Sequence, residues 1–187
     1  MNTNLAYQEE PREELLNGKI VMMPSPSVNH SIVASNIYYV FQTYLKGKTC
    51  RAFNDGVDVF LTENDRVIPD VMIVCRKDII KPDGIYGAPE LVVEVLSPST
   101  AKNDKGYKKD LYEKAGVKEY WIVDPNMHSI EVYLLSGGRF RINGFYGLFP
   151  DTFGFTERER AESQKVIPVS FYNDFCIHLE DIFSNLF

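Results

Sequence analysis

Between Glu90 and Pro125 an apolar run, an amphipathic helix and a second apolar run succeed one another, and this pattern constrains the fold more than any other stretch. "ELVVEVLS" (90–97) reads as a strand. Asn103 or Asp104 can cap a helix running to Ala115, with Gly116 as its stop, and "EYWIVDP" (119–125) reads as a strand ended by Pro125. A strand, a helix and a strand at this spacing form a crossover, so the second strand can lie parallel to the first. The first strand carries an anomaly: Glu94 stands among Leu91, Val92, Val93, Val95 and Leu96. A carboxylate buried there needs a cation, a metal or a proton.

A second acid repeats the pattern. In "VIPDVMIVC" (67–75), read as a strand that Pro69 marks as an edge or a start, Asp70 shares alternation with Ile68, Met72 and Val74. Glu94 shares it with Val92 and Leu96. If the strands are neighbours, the two acids converge. Like charges that close need a metal or a shared proton, and oxygen-only ligands select a hard ion, magnesium first and manganese second. The alternative is that each acid pairs with its own buried Arg or Lys.

The remaining pattern fills in an α/β chain. "GKIVMMP" (18–24) reads as a strand, and apolar steps of three and four predict a helix from Val28 to Lys46, ended by Gly47. "CRAF" and "VDVFL" suggest strands around Asn54–Gly56, "ENDR" (63–66) a turn and "KPDGIYGAPE" (81–90) a loop. "HSIEVYLLSGGRFRI" (128–142) suggests a hairpin turning at Gly137-Gly138, and the tail a strand and a short helix. The expected architecture is a mixed β-sheet flanked by helices, with extra N- and C-terminal β elements. It is one domain over 1–187, with a core over 28–125 and a hairpin and tail over 126–187.

Composition narrows the setting. A chain of 187 residues, 44% hydrophobic and 25% charged, has the makings of a globular core. No apolar run approaches the roughly 18 residues of a membrane span, and the acidic, polar N-terminus lacks the order of a signal peptide, so a cytoplasmic protein is expected. Cys50, Cys75 and Cys176, an odd number without paired spacing, argue against a disulfide framework and a zinc site. The net charge of -6 opposes non-specific nucleic-acid binding, although six lysines against four acids between Lys102 and Glu119 make a weak basic patch or a solvated helix face.

The segment "EVLSPSTAKNDKGYKKDLYEKAGVKEYWIVDP" resembles the Uma family of restriction endonucleases, members of the PD-(D/E)xK nuclease superfamily. "EELLNGKIVMMPSPSVNHSIV", "IPDVMIVC" and "VIPVSFYNDFCIHLEDIF" extend the resemblance over most of the chain in order. It implies a restriction-endonuclease-like core of a helix, three strands, a helix and a strand. Pro69-Asp70 matches the "PD" element and Glu94 the acid of the third motif. The lysine usual two residues later is Leu96 here, and the resemblance moves it to Lys108 on the following helix. Asp104, Lys108 and Tyr112 form one helical stripe, which could turn Lys108 toward Glu94 or leave it as an exposed pair with Asp104. Glu14 and His30 also match family positions. Glu14 could complete a metal shell or be a solvent-facing helix acid, and His30 could be structural or a surface donor. Asp58 is expected to be solvated, Tyr120 and Trp121 to be core, and Tyr112 to face either the core or the site.

The resemblance implies magnesium-dependent hydrolysis of DNA phosphodiesters, with manganese as a possible substitute. Asp70, Glu94 and the backbone carbonyl of Val95 would hold the ion. Lys108 would act on the attacking water and on the charge growing at phosphorus. Two other readings stand beside it: a catalytically inactive binding or assembly module that keeps the fold, and a carboxylate-pair glycosidase, which has no need of Lys108. Cleavage of both strands would suit a two-fold homodimer.

Overall fold

Ser27 caps a helix by accepting the backbone N–H of His30, and from there α1 (Val28–Leu45) runs for five turns. Its buried residues Val33, Ile37, Phe41 and Leu45 recur at steps of four and lie on one face of a six-stranded sheet. In the computed structural model, which describes residues 12–148, 154, 156–158 and 165–187, two six-stranded sheets and one small strand pair carry the chain.

The outer sheet begins with β1 (Glu13–Leu16) and β2 (Lys19–Met22), joined by Asn17 and Gly18, both at positive φ. That is the Asn-Gly hairpin turn, and it makes the EELL segment a strand instead of the helix considered for Glu14. The sheet continues through β5 (Asp65–Val67), β4 (Val59–Thr62), β8 (Gly84–Tyr86) and β7 (Ile80–Lys81). The 81–90 segment, expected to be a loop, thus carries part of a short hairpin.

The central sheet has the order β12 (Arg139–Gly147), β11 (Ser129–Ser136), β10 (Glu119–Asp124), β9 (Leu91–Val95), β6 (Val71–Val74), β3 (Arg51–Asn54). β6 runs antiparallel to both of its neighbours, β3 and β9, and β10 lies parallel to β9 across the helical crossover. This is the expected restriction-endonuclease-like core, a mixed sheet flanked by helices, with the hairpin of β11 and β12 turning at Gly137-Gly138. β13 (Val166–Pro168), β14 (Cys176–His178) and a short α4 (Leu179–Ile182) pack with α1 on one face. On the other face Met72, Val74, Val92, Leu96, Tyr120 and Ile122 pack with the crossover helix and the outer sheet.

Two expected elements differ in detail. The 67–75 strand is interrupted: β5 belongs to the outer sheet, and Ile68-Pro69-Asp70 crosses to the central one, where β6 starts at Val71. Pro69 has no N–H to give a ladder, which suits a crossing point. The crossover helix begins at Ala101, earlier than Asn103, as α2 (Ala101–Asn103). It widens into a π-turn over Asp104–Lys108 and continues as α3 (Lys109–Ala115), ending at left-handed Gly116. Isolated π-turns cluster at functional positions in helices.

The cysteine reading is corrected. The register of β3 on β6 pairs Arg51 with Val74, so Cys50 and Cys75 stand opposite one another, and they form a disulfide. Their spacing of 25 residues carried no signal because only strand pairing unites them. Cys176 is free and exposed. Cross-linking a loop of this length contributes about 3 kcal/mol in the chain-entropy account. Denatured, unreduced protein is therefore expected to titrate one thiol per chain, and Cys50→Ser with Cys75→Ser to lower stability by about 3 kcal/mol without reductant. Three titratable thiols would refute the bond.

Candidate active site

The ladder between β6 and β9 pairs Val71 with Val93 and Met72 with Val92. One further step sets Asp70 opposite Glu94, at the end of the ladder. There the Asp70 carboxylate replaces the departing backbone: its Oδ2 accepts the N–H of Val95 at 2.7 Å. Both acids lie on the face of Met72, Val92 and Leu96, as strand alternation predicts.

Lys108, last residue of the π-turn, turns into this point. Its Nζ lies 2.8 Å from Glu94 Oε1, 2.9 Å from Glu14 Oε1 and 3.5 Å from Asp104 Oδ1. All four side chains are buried, Lys108 at 3% exposure and Asp104 at 1%. The exposed pair of Asp104 and Lys108 is thereby excluded. Glu14, carried by β1, also accepts the N–H of Ile68 at 2.9 Å, tying the outer sheet to the crossing segment beside Asp70. Tyr112 is wholly buried and donates its hydroxyl to Glu94 Oε1 at 2.6 Å, so it faces core and site together. The π-turn is held by Tyr120, whose hydroxyl donates to the Asp104 carbonyl at 2.9 Å, and through its own Tyr107, whose hydroxyl donates to Asp65 at 2.6 Å.

His30 also belongs to the site. It sits in the first turn of α1, with Nε2 3.3 Å from Asp70 Oδ2. Burial pulls its pKa down, but the hydrogen bond to Asp70, the charges of Asp70 and Asp55 and the Val95 carbonyl raise it overall. Asp58 forms an ion pair with Arg66 in the outer sheet, and Tyr120 and Trp121 are fully buried.

Electrostatics follow from acids outnumbering bases in a dry place. Burial raises the Glu94 pKa well above the ordinary carboxylate value; the Lys108 charge opposes this, and Asp104, Asp70 and Glu14 add to it. Burial lowers the Lys108 pKa, but the charges of Glu94, Glu14 and Asp104 outweigh it, so the ammonium form is held far above neutrality. Asp104 is raised mainly by burial, and its Oδ1 is buried without a hydrogen bond. Among the described residues no three Asp, Glu, His or Cys side chains are grouped to hold a metal ion. The point shared by Glu14, Glu94 and Asp104 is held by the ammonium of Lys108.

These groups form the floor of an open cleft of about 600 Å³. Its rim consists of the loops 24–27 and 97–100, each leading into a helix, together with Arg12, Asp55 and Asn126. Arg12 and Asp55 escaped the sequence reading, since neither interrupts an apolar pattern.

The sequence and the fold match those of known proteins. The profile of the Uma2 family, described as "Putative restriction endonuclease", matches residues 3–168. The chain belongs to the Uma2 family. Relatives include two uncharacterized proteins of Synechocystis. The protein slr1290 is 32% identical over 133 residues, covering 69% of this chain and 70% of its own length. The protein sll1609 is 24% identical over 136 residues, covering 71% and 77%. The fold is shared with a crystal structure titled as a putative nuclease belonging to DUF820 from Anabaena variabilis. It has a TM-score of 0.71 and 23% identity, and the match covers 94% of this chain and 92% of that one.

Proposed function

We propose that this Uma2-family chain, taken as one domain over 1–187, is a magnesium-dependent endonuclease that hydrolyses DNA phosphodiester bonds. The observation that carries the reading is the facing pair Asp70 and Glu94 on the floor of an open cleft, with the Lys108 ammonium 2.8 Å from Glu94. The donor set suits a hard cation. Asp70, Glu94 and the Val95 carbonyl offer only oxygen, and each carboxylate meets its described partners through a single oxygen: Oδ2 of Asp70 and Oε1 of Glu94. The buried Oδ1 of Asp104 faces the Lys108 ammonium at 3.5 Å but has no hydrogen bond, and it adds another oxygen beside the acids.

Asp70, Glu94 and the Val95 carbonyl would hold the ion. Magnesium, or manganese in its place, supplies Lewis-acid polarisation of the phosphate and acidification of water. Lys108, kept as an ammonium by its acidic neighbours, donates from Nζ: it orients the attacking water and offsets charge growing on phosphorus. Glu14 and Asp104 hold that ammonium at the floor, and Tyr112 fixes the Glu94 carboxylate. A two-fold homodimer in the cytoplasm would suit cleavage of both strands of a duplex.

Purified protein is expected to nick or cleave DNA with magnesium or manganese and to lose that activity with a chelator. Binding without cleavage across varied DNA substrates and both metals would instead favour a catalytically inactive binding or assembly module.

A further inference from the structure

Arg12, His30 and Lys108 are the cationic side chains lining the cleft among the described residues. Lys108 is buried among Glu14, Glu94 and Asp104, and His30 is engaged with Asp70. Arg12 differs from both. It stands at the open side with its side chain 38% exposed, and its guanidinium forks onto Asp55: Nη1 meets Oδ2 at 2.6 Å and Nη2 meets Oδ1. Its backbone is fixed independently, since the Arg12 carbonyl accepts the N–H of Met23 beyond the β1–β2 hairpin. Asp55 is 33% exposed and lies on the bend that follows β3. Asp70 and Glu14 both act electrostatically on the guanidinium, so Arg12 overlooks the acidic floor.

A phosphodiester entering this cleft meets Glu14, Asp70, Glu94 and Asp104, and needs a cation at the entrance. The two oxygens of Asp55 present to the guanidinium the planar fork that two non-bridging phosphate oxygens also present. Solvent reaches both side chains of the pair, so an incoming anion can compete with Asp55 for the same fork. We propose that Arg12 binds a backbone phosphate of the substrate, and that Asp55 keeps its guanidinium in place by standing where that phosphate will sit. The inference rests on the nuclease reading and adds to it a substrate-binding residue and an internal competitor.

The test is the affinity for a fluorescein-labelled duplex oligonucleotide. It is read by anisotropy in metal-free buffer and again with calcium alone, beside plasmid nicking with magnesium. Arg12→Ala is expected to raise Kd about tenfold and Arg12→Lys several-fold, because lysine keeps the charge but not the fork. Asp55→Asn is expected to lower Kd about threefold. In the Arg12→Ala background Asp55→Asn should change Kd by less than about twofold, since the competitor then has nothing to compete for. Equal tightening in both backgrounds would mean that Asp55 acts only as bulk negative charge, which overturns the proposal. Weakening by Asp55→Asn would make the pair structural and overturn it too. If the wild type nicks plasmid but Arg12→Ala binds like wild type, the inference falls and the nuclease reading stands. If the wild type neither binds nor nicks, the nuclease reading falls and takes this inference with it.

Discussion

Lys108→Met is expected to lower the unfolding free energy by about 3–5 kcal/mol at neutral pH, the usual cost of removing one partner from a buried charge cluster. The substitution keeps most of the stem and deletes the ammonium, leaving Glu14, Glu94 and Asp104 facing one another at 5%, 3% and 1% exposure. Glu94 shows the sign of the pH dependence. Its folded pKa is raised, by burial first, so the folded state binds protons more tightly than the unfolded chain does. Stability is then favoured at low pH and is lost as pH rises from the ordinary carboxylate range through the folded value. Without Lys108 that loss deepens, so the deficit of the variant should shrink on acidification. Magnesium or manganese should restore stability to the variant more than to the wild type, because an ion that binds only the folded state stabilises it by mass action and no longer competes with an ammonium. Cleavage should be greatly reduced in Lys108→Met and in Lys108→Ala, while metal affinity is unchanged or higher. A variant as stable as wild type and indifferent to metal in thermal melts would show that the ammonium does not hold the cluster together.

Asp70→Asn and Glu94→Gln are each expected to reduce DNA cleavage by about 10²-fold or more, the scale seen when one group that stabilises transition-state charge is removed. The two should part company in stability. Gln at position 94 keeps an oxygen for the Tyr112 hydroxyl and relieves repulsion from Asp104, Asp70 and Glu14, so the unfolding midpoint should hold or rise. Asn at position 70 can keep an oxygen for both the Val95 N–H and His30, but it loses the negative charge that strengthens the His30 contact, so a modest loss is expected. Thermal melts beside cleavage assays separate a chemical role from a folding defect. Chelator-sensitive activity that persists in purified Glu94→Gln protein would rule out the assigned role of Glu94 or reveal a contaminating nuclease.

Four acids in and around the central strands are buried: Asp70, Glu90, Glu94 and Glu119. Glu90 accepts the Cys75 N–H, and Glu119 accepts from the Trp121 indole and from Ser170. Those two join backbone and side chains away from the cleft, whereas Asp70 and Glu94 face it. Period-two alternation made Asp70 and Glu94 visible as acids on apolar faces, because facing is a local property of a strand. The Asn17-Gly18 pair is an equally local signal for the first hairpin, one that the reading of Glu14 as a helix acid passes over.

Order along the chain therefore carried the helix–strand–helix–strand core, the shared face of the two acids and, through the family resemblance, the candidate lysine. Tertiary structure decided which groups meet. The outer sheet brings Glu14 to Lys108 from 94 residues away, α1 brings His30 to Asp70, and strand pairing joins Cys50 to Cys75. The fork of Arg12 on Asp55 spans 43 residues. Such contacts depend on how distant segments pack, and a surface arginine or an N-terminal glutamate has the same local sequence signature whether or not another sheet delivers a partner to it. The π-turn is of the same kind: it aims Lys108, and it is held by Tyr120 and Tyr107 through contacts with no counterpart in local periodicity.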